Sequence, residues 1–310
     1  MAVIRKRLQN KVAESRFALP VTAIYATLAW LAGGLAGNGM YIQFALFAAS
    51  AFMMMMLNNH NSLIRIYSRM VSCTFLVLTA MAAFLFDRYE PFAVQMCMTV
   101  FYLAFFSCYQ DKNARGRMFY AFLFIGLASI FFIQILFLVP VLWIIMAGKL
   151  MVFNPKTFWA SVLGLVTPYW FMAGYCLLTG SPDRLISHFA CIAVFSPMSL
   201  YALPDTKRLA TLALVLLLAF TGIIHYMRNS YGDKIRTRTI YETFIIMNLI
   251  TIASVILQPQ HTDMLLPLII VNTAPLAAHF IALTGTRLTN IAFCTITMAI
   301  LALTAYNIWI

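Results

Sequence analysis

Residues 118–146, MFYAFLFIGLASIFFIQILFLVPVLWIIM, run for 29 positions without a charged side chain. A helix needs roughly 20 residues to cross the hydrocarbon of a bilayer, so this run is long for one crossing and suits two short ones. Gln134 near its middle fits a hairpin apex at a membrane surface, and Pro140 interrupts its second half. A hairpin over 118–132 and 134–148 is therefore expected. It decides on which side of the membrane every later loop falls.

A water-facing globule is excluded by composition: 63% of the 310 residues are hydrophobic and 10% are charged, against about 25% charged in soluble domains. The net charge of +12 does not point to nucleic acid, because the 21 Lys and Arg sit almost wholly in short loops between apolar runs. That distribution orients a membrane protein. The six cysteines lie in or beside apolar runs with no CxxC pair, so neither a zinc site nor a redox motif is indicated, and they read as small packing residues.

Residues 1–16 carry five cations and Glu14, and read as a basic cytoplasmic tail before an uncleaved span at 17–35. Further spans are expected at 40–57, 70–86, 92–109, the two hairpin arms, 158–178, 209–227, 241–257, 264–283 and 288–309. The stretch 180–208 holds Pro182, Pro197 and Pro204 around a short apolar piece, and reads as a re-entrant or interfacial segment. The expected fold is an all-α polytopic bundle of about eleven spans, one transmembrane domain over 17–310. With this topology seventeen cations fall on the N-terminal side, and only Arg88, Arg184, Lys207 and Arg208 fall on the other. The N-terminus is therefore placed inside.

The loop 58–69, NNHNSLIRIYSR, is the most distinctive polar stretch. Arg65 and Arg69 would share one face if a helix starts there, and guanidinium forks suit phosphate. A lipid headgroup or pyrophosphate could bind there; the plainer reading is a solvated loop whose arginines anchor topology. On the other side Asp87, Glu90, Asp183, His188, Asp205, His261 and Asp263 form a loose ionisable group. Asp87, Glu90, Asp183 and Asp263 are candidate catalytic carboxylates, with His188 and His261 as substrate contacts. A cavity is expected among the 87–91 loop, the 180–208 segment and the 261–263 turn, unless these are simply wet loop charges. Near the internal face lie His225, Glu242 and His279. Asn272 and His279, seven apart, share one helix face with Pro275 between them, and either line a substrate path or satisfy each other's neighbours across helices. Glu242 reads as an N-terminal dipole partner.

No NDxxD or DDxxD run, GxxxxGK[ST], HExxH or GxSG-like turn occurs. No cofactor or metal is assigned. The hairpin followed by KTFWASVLGLVTPYW resembles the paired short helices and next span of C-type glycosyltransferases, which take sugars from polyprenyl-phosphate carriers. LNNHNSLIRIYSRM, YQDKNARGRMFYAFLFIGLASIFF and QPQHTDMLLPLIIVNTAPLAAHF are similar to an uncharacterised bacterial family of multi-pass inner-membrane proteins, which implies a place in a bacterial inner membrane with the N-terminus cytoplasmic. The first resemblance implies a lipid-linked substrate in envelope glycan assembly. It departs at the first external loop, where those enzymes carry an acidic pair and this chain has AGNGM, so Asp87 or Glu90 would have to serve. A non-catalytic subunit of an envelope-assembly or secretion complex, and a transporter, are the alternatives; membrane lipids are the expected partners.

Overall fold

A computed structural model describes residues 7–193 and 205–309, and every regular element in them is helical. Helices satisfy their own backbone groups, which an apolar environment demands. In chain order they are α1 (Leu8–Glu14), α2 (Ala18–Ala32), α3 (Tyr41–Asn61), α4 (Met70–Met81), α5 (Glu90–Ser107), α6 (Arg115–Phe131), α7 (Val139–Gly148), α8 (Pro155–Leu178), α9 (Asp183–Ala190), α10 (Thr206–Asn229), α11 (Ile235–Leu257), α12 (Thr262–Leu283) and α13 (Arg287–Trp309). Seven of these, α3, α5, α8 and α10 to α13, are long and apolar enough to cross a membrane; α2, α4 and the 133–148 arm are shorter apolar helices.

The uncharged run 118–146 does double back. α6 ends where Phe132 turns extended, a tight 3₁₀ stretch follows over Ile133–Leu138, and α7 restarts with Pro140 in its first turn. Proline is tolerated there because the first helical N–H groups have no intrahelical acceptor. α6 is about 26 Å long and the second arm about 27 Å, close to the roughly 30 Å of a bilayer core. The arms return to one end of the bundle, where Gln110 N donates to Leu150 O at 3.0 Å and Asn154 Nδ2 to Lys112 O at 2.7 Å. Asn154 also caps α8 reciprocally with Thr157.

α6 and α8 pack backbone to backbone. A Cβ at Gly164 would overlap the Phe119 carbonyl, and one at Gly126 would overlap the Leu165 carbonyl. Gly164→Leu should therefore force the helices apart, costing about 1–3 kcal/mol or more. Gly174→Leu, which meets open space, should be neutral. Size-exclusion profiles after graded heating compare the two, and equal melting would contradict this packing.

α12 is the axis of the bundle, packed by α4, α5, α10 and α11, with 89% of its apolar window buried. A helix apolar on all sides belongs inside. The carbonyls around Pro275 take side-chain donors, Thr74 Oγ1 to Ala274 O at 2.9 Å and Tyr241 OH to Pro275 O at 3.4 Å.

Basic loops collect at one end. Ser68 Oγ donates to Ala13 O at 2.7 Å, Arg236 donates to Asn61 Oδ1 at 2.9 Å, and Lys149 pairs with Glu242 at 2.5 Å. Residues 8–14 of the expected tail are a helix docked here, with Gln9 Nε2 donating to Ile281 O and Thr284 Oγ1, both at 2.7 Å. Glu242 lies in the third turn of α11, not at a helix start, because α11 begins six residues before Tyr241; its partner is Lys149 rather than the helix dipole. At the opposite end Trp30 stacks on Phe86 with centroids 3.8 Å apart. Of the 180–208 segment, α9 is a short helix without a buried residue, and 194–204 lie outside the described residues. Cys73, Cys97, Cys108 and Cys176 are buried as packing residues, whereas Cys191 and Cys294 are exposed.

Candidate anion-binding cleft

The 58–69 stretch does not start a helix at Arg65. Asn58 to Asn61 instead complete α3, which ends at Ser62 in the left-handed region (φ 47°), and α4 begins only at Met70. The asparagines extend the helix because Asn61 Nδ2 donates to Leu57 O at 3.0 Å and Asn58 Nδ2 reaches Ser68 O at 3.1 Å, closing the loop on itself. Leu63 and Ile64 are buried and anchor the loop, while Arg65 is exposed and Arg69 half-buried.

Facing this loop is the turn Ser230–Gly232 and the start of α11, and between them opens a cleft of about 620 Å³. Arg65, Arg69 and Lys234 line it, together with one carboxylate, Asp233. Arg65 lies over Gly232, whose missing side chain leaves the space its guanidinium fills. Among the described residues no carboxylate pairs with Arg65, Arg69 or Lys234. Asn58 also lines the cleft; it is 8% exposed and its buried Oδ1 has no hydrogen-bond partner. Three cations and an unused acceptor suit an anion that also carries a hydroxyl or N–H donor.

Asp233 does not neutralise these cations, because it turns inward to α12. Its Oδ2 lies 3.0 Å from His279 Nε2, with the two side chains 2% and 0% exposed. His279 Nδ1 lies 3.4 Å from His225 Nδ1 on α10, and the rings of Tyr226 and Tyr241 stand edge-on to His279, each at 5.1 Å. Arg238 Nε donates to Asp233 O at 3.0 Å and holds the turn from the other side. Asn272, two turns deeper on α12, is fully buried and accepts from Tyr102 OH at 2.5 Å. Asn272 and His279 thus both face the bundle, each with a partner from another helix.

Each of the residues expected to converge at the opposite end has its own surroundings. Asp263 pairs with Arg208 at 2.8 Å, and that guanidinium also covers the Phe84 ring at 5.7 Å. His261 Nε2 lies 3.2 Å from Gln134 Nε2. His188 sits on α9 beside Tyr169, ring centroids 6.0 Å apart; burial pushes its imidazole below the usual value, a backbone hydrogen bond at Ser129 acting the other way. Asp87 lies in the turn before α5, and Glu90 and Asp183 begin α5 and α9. Among the described residues no hydrogen bond or ion pair joins Asp87, Glu90 or Asp183 to either histidine. A cavity of about 260 Å³ at that end is lined by Phe132, Gln134, Leu257 and Gln258 among others, and by none of these six side chains. No group of three or more His, Cys, Asp or Glu among the described residues has metal-binding geometry.

Sequence reasoning missed Asp233 and Lys234. The available signal was a lone acid inside RNSYGDKIRTR, a pattern that ordinarily marks a solvated charge. Comparison with protein-family models, curated proteins and solved structures found no match for this chain.

Proposed function

We propose that this chain is a multi-pass inner-membrane protein that holds the phosphate of a lipid-linked substrate, of the polyprenyl-phosphate kind used in envelope glycan assembly, in the cleft between 58–69 and 230–237. The observation that carries this reading is the set of three cations unpaired by any described carboxylate around the partnerless Asn58 acceptor. A buried polar acceptor without a partner is costly unless a ligand completes it, and the cations around it suit an anionic one. The site takes the place of the opposite-end cavity as the principal binding location, because Asp263 there is neutralised by Arg208. Equilibrium binding of a polyprenyl monophosphate to the purified chain, with inorganic phosphate as competitor, tests the reading. Saturable, displaceable binding supports it, and binding that does not saturate ends it.

A transporter is the second reading, favoured by one observation: Asp233, His279 and the half-buried His225 form an ionisable row against α12, a helix that holds Pro267 and Pro275 within it. Ionisable groups inside membranes commonly mark ion or substrate paths. Phosphate-driven flux in proteoliposomes, as opposed to static binding, distinguishes it.

The proposed topology has about eleven crossings, counting α6 and the three shorter apolar helices, with α1 and the cleft cytoplasmic. Its reporter is a single cysteine at Tyr231, which is 76% exposed, whereas neighbouring Asp233 is buried. With Cys191 and Cys294 replaced by serine, Tyr231→Cys should resist a membrane-impermeant maleimide in intact cells and react after permeabilisation. Strong labelling of intact cells would invert the orientation.

A further inference from the structure

We propose that the hydrocarbon chain of the bound lipid lies in the apolar groove between α2 and α13, so that cleft and groove form one amphiphile site. This rests on the reading of the cleft as a lipid-phosphate site. The groove is a cavity of about 320 Å³ whose floor is made by α4 and α12, through Cys73, Val77 and Ala277, and whose walls include Val21, Ile296 and Thr297. α2 and α13 are bridged beyond it by Tyr25 and Thr304, whose oxygens lie 2.5 Å apart, and α1 closes the basic end, where Val12 lines the groove.

Three features select a lipid chain as occupant. The lining is aliphatic and aromatic with only scattered hydroxyls and one thiol, and Val21 and Phe17 at its edge are 61% and 76% exposed, so it opens sideways to the surroundings of the bundle. One turn of a helix about 10 Å across fills roughly 400 Å³, more than the groove's 320 Å³, so an extended hydrocarbon chain fits within it whereas a helix would lie against it. The groove also abuts the cleft: Arg69 lines the cleft and Met70, next in the chain, lines the groove, while Ser68 on the cleft side bonds to Ala13 beside Val12 on the groove side. An anionic head at Arg69 therefore lies next to the end of an apolar slot lined by α4 and α13.

The test uses the full chain in phosphatidylcholine nanodiscs and a long-chain alkyl monophosphate with a diazirine at its chain end. Crosslinks are expected at Val77 and Ile296. Thr297→Trp, which fills the groove from an exposed position, should reduce them about tenfold, the equivalent of about 1.4 kcal/mol. Met298→Trp, equally lipid-facing at 67% exposure and absent from the lining, should leave them unchanged. Crosslinks spread evenly over the outer helices, crosslinks to a second protein chain, or equal loss in both variants would overturn the proposal. If Thr297→Trp has no effect while displacement by inorganic phosphate still depends on Arg65 and Arg69, the groove fails and the cleft stands. If the arginine dependence is missing, the cleft reading fails and takes the groove with it.

Discussion

His279→Ala is expected to destabilise the protein by about 3–5 kcal/mol, the cost of leaving a buried carboxylate without its partner. Asp233→Ala should cost less, about 1–3 kcal/mol. The two differ because His279→Ala strands a carboxylate that is 2% exposed, whereas Asp233→Ala strands an imidazole that can stay neutral. The double variant should sit near Asp233→Ala, since the damage in His279→Ala is the orphaned anion itself. His279→Gln, whose amide can donate to Asp233 Oδ2, should recover much of the loss. SDS-driven unfolding of the purified variants measures the series. Equal effects below about 0.5 kcal/mol, the range of an ordinary surface substitution, would mean that the pair does not hold the 230–234 turn against α12.

That turn is where the sequence was hardest to read. Asp233 and His279 are 46 positions apart, and nothing local distinguishes a buried acid from a wet one among four neighbouring cations. His279 itself was legible, because an ionisable residue inside an apolar helix has few places to go except the bundle interior. The central hairpin was legible for a similar reason: length, Gln134 and Pro140 leave an uncharged run few other solutions, and the break falls within a residue of the expected place. Asn58 to Asn61 were misread as loop, since asparagine disfavours helix interiors; here side-chain bonds to Leu57 O and Ser68 O override that preference. The same override removes the expected helical register of Arg65 and Arg69, which line one cleft from a loop instead. At the opposite end, charge type and sidedness indicated which groups share a face. They could not indicate that Asp263 would take Arg208, because that contact depends on how α10 packs against α12.

The central claim is that Arg65 and Arg69 hold a lipid phosphate. Each guanidinium should contribute a charge-assisted hydrogen bond of about 1.5–3 kcal/mol, so Arg65→Ala and Arg69→Ala should each weaken binding roughly 10- to 150-fold. Arg65→Lys keeps the charge without the two-pronged geometry and should fall between Arg65→Ala and the unaltered chain. Binding should also weaken with added salt, because Arg65 and Lys234 are exposed and screened. Both arginines lie outside the apolar core, so melting temperatures should hardly move, which separates loss of binding from loss of fold. The most direct measurement is the dissociation constant of a polyprenyl monophosphate for the unaltered chain and the Arg65→Ala/Arg69→Ala double variant in neutral nanodiscs. The account predicts saturable binding in the first and none at accessible concentrations in the second; identical constants in the two would contradict it.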